Sequence, residues 1–121
     1  MNHIADESQA EKALAASSRK PAIFYKHSAV CGLCDSAIVE FERFRLSDPG
    51  RFDFHQVDVI GARAASQMLE RLLGVRHESP QVLLVWESRC VWHASHRAIK
   101  EARLSAEADA FFDSLPPARP L

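Results

Sequence analysis

Cys31 and Cys34 frame the tetrapeptide Cys31-Gly32-Leu33-Cys34, the stretch of this sequence whose residue types and spacing most directly suggest chemistry. A thiolate attacks a disulfide sulfur, and a second thiol close by can attack the mixed disulfide that results. Gly32 removes bulk where a partner's backbone must approach, and Leu33 fills the other spacer position. The same pair can bind metal, but zinc and iron–sulfur clusters want four ligands. His93 and His96 can complete such a set, yet they read more simply as hairpin-end and helix-start residues, so no metal site is expected. Cys90 makes three cysteines, an odd number that does not suit a disulfide framework. It reads as a packed thiol.

The position of the pair sets its reactivity. Pro21-Ala22-Ile23-Phe24-Tyr25-Lys26 is short, apolar and aromatic, the pattern of a buried strand. From Cys34 onward Ala37, Phe41 and Phe44 recur at helical spacing, which predicts a helix over residues 31–46. A helix start carries unpaired N–H groups and partial positive charge, which lower the pKa of a thiol placed there. Cys31 is therefore expected to be the exposed, acidic nucleophile and Cys34 the buried, resolving thiol. Lys26 and His27 precede Cys31 closely enough to stabilise its thiolate, or for His27 to carry a proton, and they read equally well as exposed strand-end residues. Asp35 favours the helix start and opposes thiolate formation.

The rest of the chain supplies the frame. Residues 5–18 read as a helix, 52–59 as a strand, and 61–73 as a helix with Ala65, Met68, Leu69, Leu72 and Leu73 on its apolar face and Gly74 as its stop. Residues 81–86 and 90–94 read as a hairpin across Glu87-Ser88-Arg89, with Trp86 and Trp92 as packing residues. Residues 97–115 read as a final helical region, broken near Leu104-Ser105. A chain of 121 residues, 47% apolar and 26% charged, is one domain with a core large enough to need no staple. The expected division is a helical extension over 1–19, the domain over 20–115 and a loose tail over 116–121. Net charge is −1 with no basic stripe, which gives nucleic acid or an anionic membrane no foothold. No apolar run nears the roughly 20 residues of a membrane span, and the first residues lack the pattern of a secretory signal. The expected location is the cytoplasm, where cysteine pairs are redox-active more often than structural.

The order α–β–α–β–α–β–β–α is that of a thioredoxin-like fold: a three-layer α/β sandwich with a four-stranded mixed sheet flanked by helices. A right-handed crossover makes the first two predicted strands parallel, with the third antiparallel beside the first and the fourth at the edge. Resemblance to that fold implies a cis bond between Ser79 and Pro80, opposite Cys31, where Ser79 can pair with an extended substrate. Thioredoxins carry a buried aspartate six residues before the reactive cysteine, where this sequence has Tyr25, and thioredoxins and glutaredoxins carry Pro or Tyr where it has Leu33.

Lys26-His27-Ser28, Phe41-Glu42-Arg43-Phe44, the run from Gly74 through Arg76-His77-Glu78-Ser79-Pro80-Gln81 to Leu84, and Val91-Trp92-His93-Ala94-Ser95-His96 resemble the monothiol (YtxJ-type) bacilliredoxins. The resemblance implies removal of bacillithiol, a low-molecular-weight thiol, from mixed disulfides, with no bound cofactor and a cellular thiol reductant. The family pattern is Thr-Cys-Pro-Ile-Ser. Cys31 matches its single cysteine, and Cys34 stands where the family has serine. The expected activity is thiol–disulfide exchange on protein or small-thiol disulfides, with Cys31 attacking, Cys34 resolving, and Gly32, Leu33, Lys26, His27, Ser79 and Pro80 contacting substrate. A thioredoxin-fold adaptor without turnover and a metal or cluster carrier are the rival readings.

Overall fold

A computed structural model of the chain describes residues 1–30 and 32–116, and of residues 32–34 the backbone alone. Its elements are β1 (Asn2–Ile4), α1 (Glu7–Ala16), β2 (Ala22–His27), α2 (Gly32–Ser47), β3 (Asp53–Asp58), α3 (Arg63–Leu73), β4 (Gln81–Trp86), β5 (Arg89–Ser95), a 3-10 turn (His96–Ala98) and α4 (Glu101–Ser114). The strands form one mixed sheet in the order β1-β3-β2-β4-β5. β2 runs parallel to β3 and antiparallel to β4, and β5 closes one edge, as the sequence order implied. The sheet has five strands rather than four. The extra one, β1, pairs in parallel with β3 at the opposite edge, so this end of the chain contributes a strand as well as a helix.

Alternation along the central strands sorts side chains into two cores. Ala22 and Phe24 of β2, Val57 of β3, and Leu83 and Val85 of β4 pack with Ala13 and Leu14 of α1 and with Ala65, Met68 and Leu69 of α3. Ile23, Tyr25, Phe54, Val82 and Leu84 face the other way, onto Ala37, Phe41 and Phe44 of α2 and Leu104 and Ala108 of α4. β2 and β4 are covered on both faces, which is why they read as unbroken apolar runs rather than alternating ones. The result is a three-layer α/β/α sandwich.

Local chemistry fixes the ends. Asp6 caps α1 by accepting from Gln9 N–H at 2.8 Å, while Gln9 Oε1 accepts from Ala5 N–H at 2.6 Å, a reciprocal capping arrangement. α3 stops at Gly74, whose φ of 68° is left-handed. The hairpin turns on two residues, Glu87 and Ser88, both at positive φ. Ser17, at the end of α1, holds that turn: its Oγ accepts from Ser88 N–H at 2.9 Å and its carbonyl from Glu87 N–H at 3.1 Å.

Two expectations need correcting. The last helix is not broken at Leu104-Ser105; the break comes at Ile99-Lys100, where buried Ile99 enters the core and Glu40 of α2 caps α4 by accepting from Glu101 N–H at 3.0 Å. Leu72 is exposed, not part of the apolar face of α3; Leu73 takes the inward position.

Candidate active site at the carboxyl ends of the central strands

β2 ends at His27, and α2 begins at Gly32. Residues 32–34 thus open α2, with Cys34 in its first turn, a few residues after the doubly covered strand β2 ends. Cys31 itself and the side chains of Leu33 and Cys34 lie outside the described residues. Asp35 is exposed in that same first turn.

Antiparallel pairing places Gln81 opposite Lys26, so Ser79 and Pro80, immediately before β4, flank the strand end that leads into the cysteine loop. The Ser79–Pro80 bond is cis, as the resemblance implied. Pro80 is buried and Ser79 half-buried. Several bonds brace the loop. His77 N–H donates to the Glu70 carboxylate, Gln81 Nε2 donates to Arg76 O at 2.9 Å, and Pro80 O accepts from His96 N–H at 3.0 Å. A hydrogen bond from Ser95 holds the Glu78 carboxyl below its usual range.

Lys26 and His27 are neighbours in sequence, yet alternation sends their side chains to opposite faces of the sheet. His27 points toward α2, half-buried, its ring 5.9 Å from Tyr25, and its Nδ1 is enclosed without a hydrogen-bond partner among the described residues. Lys26 points toward α3 and is fully buried. Its Nζ donates to Ser66 O at 3.1 Å and lies 3.2 Å from His77 Nδ1. Neither is the exposed strand-end residue of the simpler reading. Burial pushes the Lys26 ammonium down to about 8, opposed by Glu70. Burial, and then the Lys26 charge, hold His77 below its ordinary value, so His77 is the neutral partner.

Tyr25 occupies the place of the thioredoxin aspartate, fully buried and stacked on Phe41 at 4.6 Å between ring centroids. The hydrophobic neighbours sealing this floor are Phe41 and Phe54, themselves edge-to-face at 6.1 Å. A buried carboxylate base is therefore replaced here by an aromatic floor.

Cys90, on β5, is half-buried with its Sγ 3.3 Å from Trp92 O, and burial raises its thiol to about 11. It reads as an inert thiol. His93 is exposed on β5, and His96 lies beyond the strand. Among the described residues no group of three His, Cys, Asp or Glu side chains is placed to hold a metal ion. Among them, too, no helix is long and apolar enough to cross a membrane. Reasoning on the sequence missed the Lys26–Ser66–His77 cluster. The one available signal was a lysine inside an apolar run, which demands a partner that sequence alone does not name.

Comparison with solved structures returns the same fold. A candidate oxidoreductase with a thioredoxin fold is 23% identical, covers 88% of this chain and 92% of its own, and superposes with a TM-score of 0.79. The thioredoxin of Fasciola hepatica is 18% identical over 91% of this chain and 98% of that one, at 0.72. Mitochondrial thioredoxin 3 from Saccharomyces cerevisiae, in its oxidized form, is 10% identical over 91% and 94%, also at 0.72. Residues 2–104 match the family model described as monothiol bacilliredoxin BrxC. That match spans most of the chain, which therefore belongs to the monothiol bacilliredoxin family, a thiol-redox family here carried on the thioredoxin fold.

Proposed function

We propose that this protein is a thiol–disulfide oxidoreductase that removes a low-molecular-weight thiol, of the bacillithiol kind, from mixed disulfides on cytoplasmic proteins. What most supports the reading is the start of α2 at Gly32-Leu33-Cys34, directly after Cys31 in sequence and following the end of β2 that lies next to the Ser79–Pro80 loop, in a member of this family. Partial positive charge at the start of α2 favours the Cys31 thiolate. That thiolate attacks the small-thiol sulfur of the substrate. The substrate disulfide breaks, the protein leaves as a thiolate that takes a proton, and a Cys31–small-thiol disulfide forms. Cys34, deprotonated, then attacks the Cys31 sulfur, releasing the small thiol and leaving an internal Cys31–Cys34 disulfide. A cellular dithiol or two monothiols return two electrons and two protons, and the cycle needs no bound cofactor. Gly32, Leu33 and Ser79 supply the backbone surface along which an extended substrate lies.

Turnover of a peptide–small-thiol mixed disulfide, followed by mass spectrometry of the enzyme, tests this. Wild type is expected to cycle through the internal disulfide, Cys34→Ser to accumulate a Cys31 adduct, and Cys31→Ser to be inactive. A persistent adduct on wild-type Cys31 with no internal disulfide would overturn the dithiol step and leave a monothiol enzyme. Absence of any turnover or adduct would overturn the oxidoreductase reading.

A further inference from the structure

β5 ends at Ser95, and the chain leaves the sheet through the 3-10 turn His96–Ala98. His96 opens that turn with φ at 55°, in the left-handed region that residues carrying a Cβ seldom occupy. The other two such residues among those described, Glu87 and Ser88, turn the β4–β5 hairpin, whereas His96 joins no two strands. Its conformation serves two ends at one residue. The His96 N–H donates to Pro80 O at 3.0 Å, just beyond the last paired residues of β4 and β5. The chain then bends at once, so that the turn packs against α2 and the side chain of Ile99 is buried in the core.

Two side-chain bonds add to this tie between the corner and the loop before β4. Ser95 donates to the Glu78 carboxylate, and Gln81 Nε2 reaches Ser95 Oγ at 3.4 Å as well as Arg76 O at 2.9 Å. Residues 76–81 are therefore held from the end of β5. The turn that follows rests on α2, the helix whose first turn contains Cys34. One short segment, Ser95 to Ile99, joins the loop that carries Ser79 to that helix. With φ at His96 negative, the chain would either give up the bond to Pro80 O or carry the turn and Ile99 away from α2. A strained backbone that persists because its surroundings over-determine it is a mark of a positioned site.

We propose that the left-handed backbone of His96 positions the Ser79–Pro80 loop against α2 for an extended peptide, so that this corner sets affinity for the protein half of a mixed disulfide and not the rate of thiol exchange. The inference rests on the oxidoreductase reading and deepens it. His96 is a positioning residue that acts through its main chain. Its imidazole is dispensable.

Two substrates separate this corner from the thiol chemistry: a cysteine peptide in mixed disulfide with 2-mercaptoethanol, and bis(2-hydroxyethyl) disulfide, which has no peptide groups. His96→Ala and His96→Val are expected to raise KM for the peptide disulfide by about fivefold, the size of one backbone hydrogen bond, with kcat within about twofold. Their rate on bis(2-hydroxyethyl) disulfide is expected to match wild type, which also shows that they fold. His96→Gly, which accepts positive φ and has no imidazole, is expected to keep the wild-type KM. The same peptide with its cysteine S-methylated cannot react. It is expected to bind His96→Ala more weakly than wild type by the same factor, read from the Ser79 and Gln81 amide resonances. Three results overturn the proposal: His96→Gly as impaired as His96→Ala, an unchanged KM in His96→Ala, or equal losses on both disulfides in His96→Ala. Suppose wild type turns over neither disulfide, yet it and His96→Gly bind the S-methylated peptide more tightly than His96→Ala does. The oxidoreductase reading then fails and the positioning corner stands. No turnover and no binding would sink both.

Discussion

Lys26 Nζ lies 3.2 Å from His77 Nδ1, which joins the end of strand β2 to the loop that leads into cis-Pro80. The two residues are far apart in sequence, and the third member of the contact, Ser66 O, belongs to α3. A cation thus sits inside the sheet–helix layer with a helix carbonyl and a neutral imidazole as partners, and with Glu70 as its countercharge.

That burial has a pH signature. Lys26 is held at about 8, below its ordinary 10.5, chiefly by burial. Between those values the folded chain binds fewer protons than the unfolded one, so stability rises as pH climbs through that window. Below about 8 the full cost of the buried charge is present, at most about 3 kcal/mol. Lys26→Met is expected to abolish the rise and to be neutral or stabilising by about 1 kcal/mol near neutral pH, because the Ser66 carbonyl stays within α3. Urea unfolding from neutral pH to about pH 10 checks it. A wild type whose stability is flat or falls across that range would show that the charge is not buried.

Cys90 is expected to stay unalkylated under conditions that label an activated thiol. Its burial raises the thiol to about 11, so thiolate is scarce near neutrality. Iodoacetamide labelling followed by peptide mass spectrometry should show its rate climbing only in strongly alkaline solution. Cys90→Ala should leave turnover unchanged. Rapid labelling of Cys90 at neutral pH would contradict the packed-thiol assignment.

Gly74 ends α3 at a φ of 68°, and a Cβ added there would meet nothing within 4 Å. The cost of Gly74→Ala is therefore backbone strain alone, about 1 kcal/mol, with a fall in Tm of a few degrees. Gly74→Asn should cost less, since asparagine tolerates the left-handed region. Equal stability of wild type and Gly74→Ala in thermal unfolding would refute the left-handed cap.

Local pattern determined much of this protein. The cysteine spacing, the apolar runs of β2 and β4, the helical recurrence of Ala37, Phe41 and Phe44, and the Gly74 stop each depend on residues a few positions apart. Sequence order then sufficed for the pairing of the four principal strands. Tertiary structure alone decided three things. Asn2–Ile4 is too short to carry a strand pattern, and it is a strand only because β3 offers it an open edge and Ile4 a place in the core. The start of α4 depends on Glu40, an acceptor supplied by another helix, so no signal near residue 100 announces it. Lys26 and His27 looked like one pair flanking Cys31, but side chains in a strand alternate, and what each meets depends on which helix covers which face. Packing sent His27 toward α2 and buried Lys26 against α3, because only there do a carbonyl and an imidazole meet its charge.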